Sequence, residues 1–335
     1  MTDLLPQRRR GRQSAEAEAE YREQRERFCA LILQIDSTMD FKVGSRGWCY
    51  ILEQHGLTKG NFDAAERLIS DCRKAGDLPL DICAEDDSRA TIGLQGEPDN
   101  SDVEAEAKSW IDYVREHAHN SYTPFGFWDD LNTYVEVAVE KLDLRNLFEP
   151  VCEQFYVPIT NFKGWSDLNS RGAMMRRFAE HESEGQQCVL LLCGDHDPGG
   201  LAITATLLKN LEDLSRAVGW QPDNLTIIRF GLNADFIASA GLTWIDNLET
   251  SSGGRLDDPR HPHHRKPYVQ DYIARFGARK CEANALVVAP NIGRRLIRDA
   301  ILRFVPADAP ARYQARLAAE REQLRDAIQR RMRSP

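Results

Sequence analysis

The residues Gly194-Asp195-His196-Asp197-Pro198-Gly199-Gly200 directly follow the most apolar run of the chain, Cys188-Val189-Leu190-Leu191-Leu192-Cys193. A continuous apolar run bounded by polar residues reads as a strand buried on both faces, as in a parallel sheet. Ligands of open α/β sheets bind just outside such strand ends. If the extended geometry continues to Asp197, Asp195 and Asp197 project to one side and His196 to the other, because side chains alternate along a strand. Two carboxylates on one side form a hard-oxygen site suited to Mg²⁺. The same residues are also compatible with a solvated turn in which Asp197 caps the following helix. A third carboxylate joins them: Glu140 ends the β-rich stretch Tyr134 to Glu140 and is followed by Lys141. The C-terminal ends of parallel strands share one edge, so Glu140, Asp195 and Asp197 are expected to converge there. Glu136 is a weaker candidate on the same side. Glu140 also admits a plainer reading, as a surface carboxylate paired with Lys141.

The elements that must hold these groups are legible in outline. In the second half, strands over 134–140, 156–159, 188–193 and 225–230 alternate with helices over 144–155, 166–181 and 201–217. That βαβαβ order is doubly wound α/β, with a mostly parallel, Rossmann-like sheet. The first part differs. Apolar residues at helical spacing predict helices over 14–35, 45–55 and 62–75, the last stopped by Gly76, before a polar connection from Asp86 to Val103. Three compact helices followed by short extended pieces suit a winged-helix module. Charged helical residues from Arg312 to Arg333 close the chain as a packing or dimer element.

A strand ending in Glu, then an apolar strand ending in Asp-x-Asp with Gly beyond, resembles a Toprim domain. Val137 to Lys141 together with Gly194 to Gly199 resembles the A subunit of topoisomerase VI, the meiotic double-strand-break transesterase and small phage-type relatives. Lys280-Cys281-Glu282-Ala283-Asn284-Ala285-Leu286 is similar to that group's Glu-x-x-Ala-Leu element. Arg46-Gly47-Trp48-Cys49-Tyr50 is similar to the group's winged-helix motif, which puts Tyr50 at the nucleophile position and Cys49 where the family has an aromatic residue. Asp86 to Arg89 resembles the Asp-x-x-Arg stretch that closes the winged domain. The likeness covers roughly residues 40 to 305 through short motifs.

The resemblance implies an extension over 1–36, a winged-helix DNA-binding domain over 37–105, a Toprim domain over 106–306 and a charged helix over 307–335. It implies a Mg²⁺-dependent, DNA-cleaving transesterase that forms a 5′-phosphotyrosyl link through Tyr50. Tyr50, Arg46, Glu140, Lys141 and Glu282 are then catalytic, with Glu140, Asp195 and Asp197 on the metal. Arg46, Arg89, Lys163, Arg265 and Lys266 are the expected DNA contacts. In this family the tyrosine of one protomer works with the metal of the other, so the resemblance implies a homodimer. Arg46 and Tyr50 stand at i and i+4 on one helical face, so Arg46 can lower the phenol pKa or bind the phosphate beside it. On the residues alone, Tyr50 is equally a core aromatic with its hydroxyl satisfied. A Toprim nuclease using water and a non-catalytic DNA-binding relative are the alternatives.

Composition bounds these readings. The chain has 335 residues, 42% hydrophobic and 28% charged, the balance of an ordinary globular protein with room for two domains. No apolar run reaches the roughly 20 residues of a membrane span, and the N-terminus shows no secretory h-region. A cytoplasmic, nucleoid-associated location is the corresponding expectation. Eight cysteines without a CxxC pair read as buried, reduced thiols. The net charge of −9 excludes a whole-surface polyanion binder. Positive charge is nevertheless clustered, in Gln7 to Arg12, in Arg255 to Lys266 and in Arg325 to Arg333, which permits a local nucleic-acid face. His261, His263 and His264 lie in a Pro-containing basic stretch that reads as an exposed loop, with no zinc assigned. No Walker A sequence is present, so strand passage would take a separate ATPase subunit.

Overall fold

The computed structural model describes residues 4–6, 14–84, 102–162, 168–250 and 254–333. Three helices come first: α1 (Ala15–Asp36), α2 (Ser45–Glu53) and α3 (Phe62–Ala75). Ser14 caps α1 by accepting the Ala17 N–H at 3.2 Å, with Glu16 and Glu18 favouring the positive end of the helix. Gly76 ends α3 at φ 83, a left-handed conformation that glycine takes without strain. Trp48, Ile51 and Leu52 of α2 pack with Phe28 and Ile32 of α1 and Phe62 and Ile69 of α3 in one buried cluster. The Trp48 indole N–H finds the carbonyl of Ile82 at 2.8 Å, so burial leaves it satisfied.

After α4 (Val103–His117) the chain alternates β1 (Thr133–Val139), α5 (Leu142–Gln154), β2 (Ile159–Asn161), α6 (Leu168–Ser183), β3 (Gln187–Cys193), α7 (Pro198–Glu212), α8 (Ser215–Val218) and β4 (Thr226–Gly231). The remaining helices are α9 (Ala234–Ser239), α10 (Pro267–Phe276), α11 (Asn284–Val288), α12 (Pro290–Leu302) and α13 (Ala309–Arg333). The four strands form one all-parallel sheet in the order β2-β1-β3-β4. Residues 134–139 and 188–193 are buried throughout, which explains why their sequences are apolar without alternation. α5 packs with α11 and α12, while α6 packs with α7 and α8, the two helix groups of a wound sheet. From β1 the chain passes to β2 on one side and then to β3 on the other, which makes the β1/β3 boundary the topological switch point. Val139 pairs with Cys193 there, so both strands end at the same level.

The helical N-terminal part is fastened to this sheet through α5. The Gly44 N–H donates to Asp143 Oδ1 at 2.8 Å, and the Asn146 amide donates to the Lys42 carbonyl at 2.7 Å. α2 also packs on α11. At the other end, Tyr313 of α13 meets the rings of Phe125, Phe127 and Tyr156, and Leu317 is buried, which makes α13 a packing element.

Several boundaries differ from the sequence expectation. β1 stops at Val139, so Glu140 lies just beyond the strand. The strand expected over 156–159 is a turn, with Tyr156 at φ 55, and β2 begins only at Ile159. The helix expected from 201 starts at Pro198, because proline suits the first turn, and it breaks before α8. The expected boundary at 105/106 falls inside α4. Among the described residues of 37–84 no strand occurs; most of the polar connection expected from Asp86 to Val103 lies outside the described residues. No helix among the described residues is long and apolar enough to cross a membrane.

Candidate active site

Beyond β3 the chain stays extended: His196 forms an antiparallel bridge with Cys281, and Asp197 has φ −143 and ψ 174. His196 turns away from the carboxylates into a cage of Trp244, Tyr272 and Phe276. Burial drives its pKa down to about 4, leaving a neutral ring. Asp197 does cap α7, accepting the Gly200 N–H at 2.6 Å through Oδ1. A Cβ on Gly200 would stand 2.1 Å from the Asp195 carbonyl oxygen, so only glycine allows the loop to fold this tightly. Asp195 Oδ1 accepts the Ala283 N–H at 2.7 Å and faces the Lys141 ammonium at 3.0 Å.

Glu140 reaches across the switch point, with Oε2 beside Gly194. Among the described residues its carboxylate makes no hydrogen bond or ion pair. Burial first, then the charges of Asp195 and Asp197, push its pKa up. Asp197 is likewise raised, by burial and by Asp195, against the Gly200 N–H. Three carboxylates therefore crowd one sheet edge with Lys141 as the close cation. Among the described residues their oxygens do not all close to within 4.8 Å of one another. Uncommitted oxygens on partly buried, mutually repelling carboxylates are the donor set that a hydrated Mg²⁺ satisfies.

Glu136 does not belong to this site. It lies four residues back along β1, about 13 Å at the rise of a strand, and is fully buried on the α6 side. Arg177 grips it with two hydrogen bonds of 2.8 and 2.7 Å, and the Tyr134 hydroxyl adds a third at 2.9 Å. The buried charge is thus neutralised by structure.

Tyr50 lies on α2, and its hydroxyl donates to Glu282 Oε2 at 3.0 Å. Glu282 also meets Lys280 at 3.1 Å. Because Ala283, the next residue, binds Asp195, a short run of contacts links the phenol to the carboxylate edge. Burial, then the Glu282 charge, raise the Tyr50 pKa, while Lys141 opposes them. Burial acts to raise Glu282 as well, but Lys141, Lys280 and Lys59 outweigh it and the net shift is downward. Lys141 is held charged in the same way: burial disfavours its ammonium, but Asp195, Glu282 and Tyr50 prevail. Arg46 stacks over Phe62 at 4.9 Å and pairs with Asp63 and Glu66 at 3.4 and 3.3 Å. A cavity of about 630 Å³ opens beside Tyr50, lined by Lys59, Trp244, Glu282, Asn284 and Ile292 among others.

Tyr50, Glu140, Lys141, Asp195, Asp197 and Glu282 therefore gather in one region, with Arg46 on the helix that carries Tyr50. Arg265 and Lys266 are exposed at the start of α10, whose Tyr272 hydroxyl donates to the His196 carbonyl at 2.8 Å. Arg89 and Lys163 lie outside the described residues, as does Gln7 to Arg12. His264 bonds the Leu256 carbonyl at 2.8 Å and His261 accepts the His263 N–H at 3.1 Å, which engages both rings within the loop. All eight cysteines are buried and free. Cys29 and Cys72 do approach Asp77 within 4.8 Å, but the Arg25 guanidinium pairs with that carboxylate at 2.7 Å.

Sequence reasoning missed Arg229. From β4 it donates to the carbonyls of Gly200, Gly194 and Asp195 at 2.8, 2.7 and 2.6 Å, pinning the loop that carries both aspartates. A lone arginine inside the strand Thr226 to Gly231 was the available signal. Compared with models of known protein families, with curated proteins and with solved structures, the chain matches none.

Proposed function

We propose that this chain is a Mg²⁺-dependent DNA-cleaving transesterase resembling the A subunit of topoisomerase VI, with Tyr50 as nucleophile. In this reading α1 to α3 belong to a winged-helix module and the parallel sheet to a Toprim domain. The observation that carries it is the hydrogen bond from the Tyr50 hydroxyl to Glu282, in the same region as Glu140, Lys141, Asp195 and Asp197. A phenol with a raised pKa is a poor nucleophile unless a base takes its proton. Glu282, ionised and in contact, is that base.

The Tyr50 oxygen forms a bond to phosphorus as its proton passes to Glu282. The bond from phosphorus to the 3′ oxygen breaks, and the departing oxygen takes a proton from Lys141. A 5′-phosphotyrosyl link and a free 3′ hydroxyl result, and reversal of the same transfers reseals the strand. Glu140, Asp195 and Asp197 would hold Mg²⁺, which when bound neutralises charge on the phosphodiester. Arg46 and the exposed Arg265 and Lys266 supply phosphate contacts. A double-strand break takes two copies of the chain, and strand passage takes a separate ATPase.

One observation favours a second reading, a metal-dependent nuclease using water: the Tyr50 phenol is held protonated by burial and by Glu282. Incubating protein with labelled supercoiled DNA and Mg²⁺, then denaturing, separates the two. A protein-linked DNA band lost in both Tyr50→Phe and Asp195→Ala is expected. Cleavage without a linked band, retained in Tyr50→Phe and lost in Asp195→Ala, would instead establish hydrolysis.

A further inference from the structure

We infer that Cys29 and Cys72 form a thiol pair that a hydroperoxide converts into a reducible disulfide, joining α1 to α3. The inference stands apart from the transesterase reading and uses none of the carboxylates at the sheet edge. The two sulfurs and an Asp77 carboxylate oxygen all lie within 4.8 Å of one another. Cys29 belongs to α1 and Cys72 to α3, so a bond between them would close a covalent loop that contains α2.

The surroundings of this pair set it apart from the other cysteines. Arg25 brings its guanidinium here, donating to the Asp71 carbonyl at 3.1 Å and meeting Asp77 at 2.7 Å. The Arg25 Nε–H is buried without a hydrogen-bond partner, which leaves a donor for a thiolate. A hydrogen bond from the Cys29 thiol outweighs burial and, with the Arg25 charge, draws the Cys72 pKa down to about 7. The same contact moves Cys29 upward, so it stays a thiol. Burial instead pushes Cys49, Cys188, Cys193 and Cys281 up to about 12. Thiolate character beside a cation is what makes a cysteine reactive. Asp77 is exposed, which gives a small oxidant a short way in. A metal would need both sulfurs ionised and Asp77 released from Arg25, so the cluster suits dithiol chemistry instead.

The Cys72 thiolate attacks one oxygen of the hydroperoxide, forming an S–O bond as the O–O bond breaks. The leaving oxygen takes up the proton that Cys72 had lost, and Cys72 becomes a sulfenic acid. The Cys29 sulfur then attacks the Cys72 sulfur. The S–O bond breaks, and the Cys29 proton departs with that oxygen as water. Two thiols are oxidised by two electrons, and hydrogen peroxide is reduced to two waters. A thiol reductant reverses the change by exchange.

Reduced wild-type protein is treated with hydrogen peroxide under native conditions, alkylated in denaturant and digested without reductant. A linked Cys29–Cys72 peptide about 2 Da lighter than its two thiol halves is expected, with dithiothreitol restoring both thiols. The other six cysteines, all buried, should be recovered alkylated, which also reports that the protein stayed folded. Cys29→Ser should stop at the sulfenic acid, captured by dimedone on Cys72. Arg25→Gln should slow thiol loss roughly 10-fold, and Arg25→Lys, which keeps the charge, should restore most of the rate. Recovery of Cys29 and Cys72 as alkylated thiols after peroxide would overturn the inference. So would Cys72 carried to sulfinic acid beside an unreacted Cys29, or equal oxidation of all eight cysteines.

Discussion

Glu140 illustrates the electrostatic cost of gathering these carboxylates at one sheet edge. Its pKa is raised in the folded protein by burial and by its acidic neighbours, so folding favours the protonated form. The stabilisation from protonation is therefore present below the unfolded carboxyl pKa of about 4.3 and is lost as pH rises through the folded value. At neutral pH the ionised group opposes folding, and Glu140→Gln is expected to stabilise the protein by about 1 kcal/mol, raising Tm by roughly 1–2 °C. The gain shrinks to nothing in melts below about pH 4. Saturating Mg²⁺ should stabilise wild type by about 2–3 kcal/mol and the variant much less, because a ligand that binds only the folded form shifts its stability by mass action. Equal Mg²⁺ shifts in both proteins would remove Glu140 from the metal set. Glu282 tests the nucleophile. Burial and then the Glu282 charge raise the Tyr50 pKa, so Glu282→Gln should bring it back toward 10, read as the ultraviolet titration difference between each protein and its Tyr50→Phe partner. Adduct formation should nevertheless slow by roughly 100-fold, the usual contribution of a general base. A lower phenol pKa with an unchanged adduct rate would assign Glu282 a positioning role only.

At the scale of elements, the fit of α2 against α5 is the sensitive point. A Cβ on Gly47 would meet Asp143 Oδ2 at 2.5 Å and the Val43 Cβ at 2.8 Å. Gly47→Ala is expected to cost about 1–3 kcal/mol in urea denaturation, the usual range for overpacking a filled site. Adding Asp143→Ala relieves one clash but leaves the Gly44 N–H without its acceptor, so the two changes should be non-additive by about 1 kcal/mol. Strict additivity would mean that α2 shifts freely away from α5. The sequence made the strands of this framework legible where burial is two-sided: the run Cys188 to Cys193 names β3 and hence the Asp-x-Asp edge. It hid β2, because nothing in the residue types shows that Tyr156 adopts φ 55 and turns the chain. α4 was hidden differently. Val103, Trp110, Ile111 and Tyr113 are all exposed, so no buried stripe marks the helix. The carboxylates could be grouped because parallel strand ends share an edge. The bond from Tyr50 to Glu282, 232 residues apart, depends on how α2 and α11 pack, which no local pattern records. Arg229 escaped notice for the same reason: its work is done on backbone carbonyls of another loop.

For the whole molecule the governing fact is charge. With 43 basic and 52 acidic residues, the protein's net charge repels a polyanion on average, so under the proposed function DNA binding rests on a few local phosphate contacts. Arg265 and Lys266 suit that role: both are exposed at the start of α10, and no side-chain ion pair engages them among the described residues. Each phosphate neutralised releases about one counterion, so log affinity should fall with log salt at a slope of about −0.9 per contact. Replacing both residues with alanine is expected to reduce the steepness of that slope by roughly 2, weakening binding most at low salt and least at high salt. The loss should be the same for unrelated duplex sequences, since phosphate contacts carry no base information. Tyr50→Phe sets the comparison, because removing an uncharged hydroxyl leaves the salt slope unchanged while abolishing the adduct. An unaltered slope in the Arg265→Ala, Lys266→Ala protein would shift the electrostatic footprint away from α10, toward Arg46 and the other basic clusters.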